Sequence, residues 1–338
     1  MTAVEEAASL QERVDDAVRT AEGSTRRSRV TGWVNIIVVV LLLILPFLVD
    51  AIALRRMASI IVLTLAVLGV VVATGYGGLI SLGHGAFVGL GAFAMGAYLD
   101  LVHLPLVVAL VATFVTCWIV GWLFGLPALR VKGIYLALLT LGLGVVFPSL
   151  AKRFPKITGG VTGRPIDSTL EAPAWLGDDY TIVWRYFFCL AVCVLMFWLT
   201  GNVLRSRMGR AMQAVRDDET SAATFGIDLV TTKAGAFGLS AALAGTSGAL
   251  QAVLFPFVSH EQFNVFLSFR LYAAAVIGGV GYLAGAVYGV IALIIVPVIN
   301  DALGVLENDV FVFGAGLVLL TFVSPDGIAG LIRRWERR

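Results

Sequence analysis

Residues 205–233 read RSRMGRAMQAVRDDETSAATFGIDLVTTK, a polar island in a chain that is almost continuously apolar from Trp33 onward. The 338 residues are 59% hydrophobic and only 14% charged, with a mean hydropathy of +0.93, so most of the chain is built for a lipid solvent and this segment for water or a partner. On both sides of the island, apolar runs of roughly 17 to 25 residues recur, the length that crosses a bilayer core as a helix. Backbone polar groups in hydrocarbon must be satisfied within each segment, and the runs lack the alternation of barrel strands. The expected fold is therefore all-α, a polytopic transmembrane helical bundle of about ten spans with Gly-rich broken or short helices.

The runs fall at 33–49, 58–74, 86–101, 106–128, 134–151, 182–200, 234–255 and 310–323. The stretch 271–300 is too long for one untilted crossing and is interrupted by Gly278, Gly279, Gly281 and Gly285, so it divides into two short spans meeting near that turn. Residues 1–32 form a polar tail with a faint helical stripe. Arg26, Arg27 and Arg29 precede the first run, which begins too far in for a cleaved signal peptide. The positive-inside rule puts both termini in the cytoplasm, together with the Arg130 and Lys132 loop, while Asp301 and Asp309 fall outside. Arg55, Arg56 and the loop 152–179 do not follow that bias. The resulting organisation is a cytoplasmic tail at 1–32, a transmembrane domain at 33–324 with a cytoplasmic loop at 203–233, and a basic cytoplasmic tail at 325–338.

A net charge of +2 gives no footing for nucleic acid. Cys117, Cys189 and Cys193 lie in apolar runs and read as small packing residues. The chain holds no P-loop, no zinc-ligand spacing and no paired acid or nucleophile–base set within a span. The spans contain essentially no Asp, Glu, Lys or Arg, the exceptions being Asp100 and Arg185 near span ends. Ion-coupled carriers place such groups along their pathway, so energy input from a partner through the charged loop is the better reading.

Two segments carry mechanism. Thr74 to Tyr98, TGYGGLISLGHGAFVGLGAFAMGAY, packs eight glycines with Ser81 and His84 into membrane depth, where glycine permits close backbone approach or a broken helix. Ser81, Gly83, His84, Thr140 and Ser240 are the pathway candidates by polarity and depth. In the island, Met208, Met212 and Val215 recur at helical spacing while Arg210, Arg216, Asp217, Asp218 and Glu219 project elsewhere. One short amphipathic helix outside the bilayer is expected, ended by Gly226, with its apolar stripe offered to a partner.

At this point the residues resemble a known family. GYGGLISLGHGAFVGLGAF (75–93), LRVKGIYLALLTLGLG (129–144), ITGGVTG (157–163), the island with the helix after it (205–250) and AAAVIGGVGYLAGAVYG (273–289) are similar, in order and spacing, to blocks of the inner-membrane permeases of branched-chain amino acid ABC importers, the LivM-type subunit. The resemblance implies that Gly209, Arg210, Arg216, Asp217, Glu219, Ala222, Gly226 and Ile227 stand where a coupling loop meets an ATPase, although Ala222 and Ala223 depart from the spacing of the wider importer class. It further implies a second homologous permease, two cytoplasmic ATPases and an external substrate-binding protein, in a bacterial inner or plasma membrane. The chain would bind no cofactor and catalyse nothing, ATP and Mg being used by the ATPases. The implied cargo is leucine, isoleucine and valine. GAFAMGAYL resembles the urea branch instead, so urea, short amides or another small metabolite form the alternative, and an ATP-independent facilitator is the alternative class.

Overall fold

The computed structural model describes residues 42–128, 133–166, 170, 180–303 and 327–337. The expected tail 1–32, most of the span 33–49, the span 310–323, the loop residues Arg130 and Lys132, and Asp309 lie outside these. Residues 1–50 with 336–338 make one unit and residues 51–335 another. Within the first, residues 45–47 form a 3-10 turn with Pro46 near its start.

From Ala51 onward the described residues are mostly helical. In chain order the helices are α1 (Ala51–Val70), α2 (His84–Asp100), α3 (Leu106–Ala128), α4 (Ile134–Arg153), the one-turn α5 (Pro155–Thr158), α6 (Thr181–Arg205), α7 (Arg207–Asp217), α8 (Glu219–Thr224), α9 (Leu229–Leu254), α10 (Val265–Gly278), α11 (Leu283–Leu303) and α12 (Gly327–Arg337). The sole sheet among the described residues is an antiparallel pair of two-residue strands, Arg164–Pro165 with Phe257–Val258. Five of the helices are long and apolar enough to cross a membrane: α1 with its continuation to Tyr76, then α3, α4, α6 and α9. The α10–α11 pair bends by 118° where the sequence placed its glycine turn. Among the described residues the expected spans fall on helices, but α2 at 17 residues is too short to count among the five, and the two spans expected in 271–300 pass only together, as one bent pair.

α9 is the axis of the bundle, packed against α1, α2 and α3. Of its most apolar window 89% is buried, against 28% for α6. The cause is side-chain size. Gly245 and Gly248 let α2 approach until a methyl on Gly91 would run into the Gly245 carbonyl, and Ser240 accepts α1 at Gly69. Small residues give such contacts within lipid, where apolar area alone drives no association. α6 instead presents Val194, Leu195 and Trp198 outward, the pattern of a lipid-facing span.

α1 does not end as a plain helix. It passes into a π-helical turn at Val71–Tyr76, then a non-helical stretch leads to α2. Gly77 lies against Ala236 and His84 bonds to Ser240, four residues further along α9. At 1.5 Å per residue the stretch re-enters the bundle by about 6 Å before α2 begins.

Candidate functional site

A non-helical backbone inside a membrane bundle is tolerated only where protein satisfies its polar groups. The stretch 77–83 meets that condition through named partners. The Gly77 and Leu79 amides donate to the Val72 and Ala73 carbonyls at 3.0 and 2.9 Å, and the Thr74 hydroxyl donates to the Leu79 carbonyl at 3.2 Å. The Leu82 amide donates to Thr140 Oγ1 on α4 at 2.9 Å. At the mouth of α2, His84 Nε2 and Ser240 Oγ on α9 lie 2.6 Å apart, and the Gly85 amide donates to Ser268 Oγ on α10 at 2.9 Å. Gly83 fits because a Cβ there would stand 2.6 Å from the Thr140 carbonyl oxygen.

The five pathway candidates of the sequence therefore meet in one place. Ser81, Gly83 and His84 sit at the break, Thr140 and Ser240 on the walls facing it, and the four with side chains beyond hydrogen are all buried. They form a neutral polar seam joining α2, α4, α9 and, through Ser268, α10. Ser268 is the member that sequence reasoning missed. It lies three residues before the expected span 271–300, between Leu267 and Phe269, and its bond to the Gly85 amide reveals its part.

At the end of the bundle where α1 terminates, the charged island folds onto the membrane domain. The expected single amphipathic helix is corrected to two. α7 opens at Ser206, whose hydroxyl accepts from the Met208 amide at 3.2 Å. It stops at Asp218, whose backbone is extended and whose carboxylate accepts from the Ser221 amide at 2.6 Å, starting α8. The Ser221 amide and hydroxyl hold the Asp218 carboxyl below its ordinary range. Asp228 caps α9 in the same way through Val230, and Thr231 with Val230 lowers its pKa. Gly226, at φ +79°, makes the left-handed turn that follows α8.

The apolar stripe is also corrected. Met212 and Val215 are buried within this chain, and Met208, partly exposed, reaches Gly235 of α9. The most exposed apolar side chain of the loop is Phe225, 85% exposed beside Gly226.

Two of the charged residues, Arg216 and Glu219, reach back to the membrane domain. Arg216 Nη1 donates to the Gly75 carbonyl in the π-helical turn at 2.5 Å, while its Nε and Nη2 donate to Asp217 Oδ1 at 2.9 and 2.7 Å. Gly78, at φ +65°, packs on the Arg216 stem with no room for a Cβ. Glu219 reaches Lys233 Nζ of α9 at 2.7 Å, and that lysine side chain is 7% exposed. Arg210 donates to the Arg205 carbonyl at 3.0 Å. Gly209 is buried where a methyl would strike the Leu204 carbonyl, Ala222 is buried, and the Ile227 amide donates back to the Ala222 carbonyl at 3.1 Å. The island is thus keyed to the break: Arg216 grips Gly75 and Gly78, and the seam begins at Ser81.

Among the described residues no group of His, Cys, Asp or Glu could hold a metal ion. Cys117, Cys189 and Cys193 are free and buried in the bundle.

Fold and site together define a helical bundle with several helices of membrane-spanning length, centred on a hydrogen-bonded helix break. The family described as "Branched-chain amino acid transport system / permease component" matches residues 52–321, and the chain belongs to it. Similar proteins include the high-affinity branched-chain amino acid transport system permease protein LivM of Salmonella typhimurium, 28% identical over 237 residues that cover 63% of this chain and 55% of that one. LivM of Escherichia coli K12 is 29% identical over the same shares. The permease protein LivH of Escherichia coli K12 is 33% identical over 135 residues, 40% of this chain and 44% of its own. The chain spans about half the length of the LivM relatives. No solved structure matches it.

Proposed function

We propose that this chain is one permease subunit of an ATP-driven importer that moves branched-chain amino acids delivered by an external binding protein. A second homologous permease and two cytoplasmic ATPases complete the assembly, with both termini of this chain and the island on the ATPase side. The observation that carries the reading is the physical link between the island and the helix break, because an importer driven from outside the bilayer needs such a link. Membership of the family and the names of the relatives, LivM and LivH among them, support the cargo and the paired permease. The scarcity of charged residues in the spans supports an external energy source, since ion-coupled carriers line their pathway with such groups.

In this reading Phe225 enters an apolar recess of the ATPase, and α7 with α8 follow the ATPase as it closes on nucleotide. Arg216 carries the displacement to the Gly75 carbonyl and the Gly78 turn. The stretch 77–83 then moves against Thr140 and Ser240, and the seam exchanges one set of neutral hydrogen bonds for another. Two packed arrangements biased by nucleotide state are what alternating exposure requires. The chain hydrolyses nothing. Its residues position, transmit and screen.

The test is uptake of labelled leucine and of labelled urea into proteoliposomes containing the whole complex, with and without internal ATP. ATP-dependent leucine uptake is expected. ATP-dependent uptake of urea alone would replace the cargo, and flux of either solute without ATP would replace the class with a facilitator.

A further inference from the structure

A second polar feature lies at the same end of the bundle, apart from the seam. A pocket of about 490 Å³ is lined by Tyr76, Gln213, Arg216, Val280, Gly281, Tyr282 and Arg333. Four separate pieces of chain build it: the end of the π-helical turn, α7, the glycine turn between α10 and α11, and the C-terminal helix α12. Two guanidinium groups, two phenols and one carboxamide face a single space, and among the described residues the only carboxylate bonded to either arginine is that of Asp217.

The donors are not exhausted by the protein. Arg216 has five N–H groups, of which one goes to Gly75 and two to Asp217. Arg333 has no carboxylate partner among the described residues, and its guanidinium lies 5.2 Å from the centre of the Tyr282 ring. A planar guanidinium held against an aromatic face loses less freedom when it forks onto an oxyanion. Gly281 opens the floor, since a Cβ there would meet nothing within 4 Å.

We infer that this pocket binds a phosphate group through Arg216 and Arg333, with the Tyr76 and Tyr282 hydroxyls and the Gln213 amide as further donors. Paired arginines with convergent neutral donors are suited to an anion whose oxygens accept from several directions, as phosphate does. Its place at the end of the spans, where the charged island meets the bundle, suits the headgroup of an anionic lipid, and free phosphate offers the same chemistry. Bound there, the anion fastens α12 and the α10–α11 turn to α7, so occupancy would set how freely the island moves. The inference does not depend on the cargo.

The test uses the full chain in nanodiscs and reads the thermal unfolding midpoint. One arm compares phosphatidylcholine with phosphatidylcholine containing a graded fraction of phosphatidylglycerol. The other titrates inorganic phosphate against chloride at matched ionic strength in phosphatidylcholine alone. A saturable rise with phosphatidylglycerol identifies a lipid headgroup, and one with inorganic phosphate identifies the free anion. In either case Arg333→Gln is expected to weaken the response roughly tenfold, the loss of one charge-assisted contact. Tyr282→Phe, which keeps the ring and removes the hydroxyl, should weaken it less, and Arg153→Gln on α4 should leave it intact. Absence of a rise in both arms, or a wild-type response in Arg333→Gln, would overturn the site.

Discussion

Around His84 the polar groups are neutral, buried and bonded to one another across four helices. Between Arg205 and Lys233 they are charged, and the bonds run along the loop or back into the bundle. Both regions interrupt an apolar chain, yet their chemistry differs because their solvent differs. Within the spans an uncompensated charge would be prohibitive, so serine, threonine and histidine bridge the break. At the bundle end, charge is affordable provided a partner is near, and Arg216 and Glu219 find theirs on the membrane domain rather than in water. In the proposed mechanism the neutral region is the moving part, exchanging bonds of similar strength, and the charged one is the transmission element.

The largest effect is expected where the neutral region is tightest. Gly83→Leu would force a side chain onto the Thr140 carbonyl, costing about 3 kcal/mol or more. Uptake should collapse together with a fall in the unfolding midpoint of the purified protein. Wild-type uptake and expression in that variant would remove the close approach from the account. In the charged region Glu219→Lys sets two like charges together at the nearly buried Lys233, for about 2 kcal/mol after allowance for the partly exposed carboxylate. Its signature is loosened attachment of α8, seen as faster hydrogen exchange across 219–227 with the spans unchanged. Uniform exchange would deny that this pair holds the loop.

Ser240→Ala is smaller, leaving His84 Nε2 without its partner for about 1 to 2 kcal/mol. It should alter uptake rate more than assembly, and equal loss of both would make the bond merely structural. The smallest effect concerns the caps. The folded-state pKa values of Asp218 and Asp228 are depressed, so their contribution is complete above the ordinary carboxylate range and is lost as pH falls through the lowered values. Acidification should fray the starts of α8 and α9 before the spans respond. Asp218→Asn, still able to cap, should remove most of that pH dependence at position 218.

Much of this architecture was legible beforehand, since apolar runs of bilayer length leave little choice but helices. The glycine turn at Gly278 to Gly285 was readable for the same reason. The split at Asp218 was hidden because an aspartate in a charged run reads equally as a helix surface residue. Its capping signal, Ser221 three residues on, is ambiguous without coordinates. Arg216 read as an outward contact since charge belongs in water by default, and nothing local shows that Gly75, 141 positions away, supplies the acceptor. Phe225 was passed over because an aromatic beside a helix-ending glycine usually packs inward.

Whether Arg216 transmits motion from the island to the break is read from the ratio of ATP hydrolysed to leucine transported by the whole complex carrying Arg216→Gln. Hydrolysis is expected to persist while transport falls, so the ratio rises several-fold with assembly intact. An unchanged ratio at wild-type transport would show that the grip on Gly75 transmits nothing.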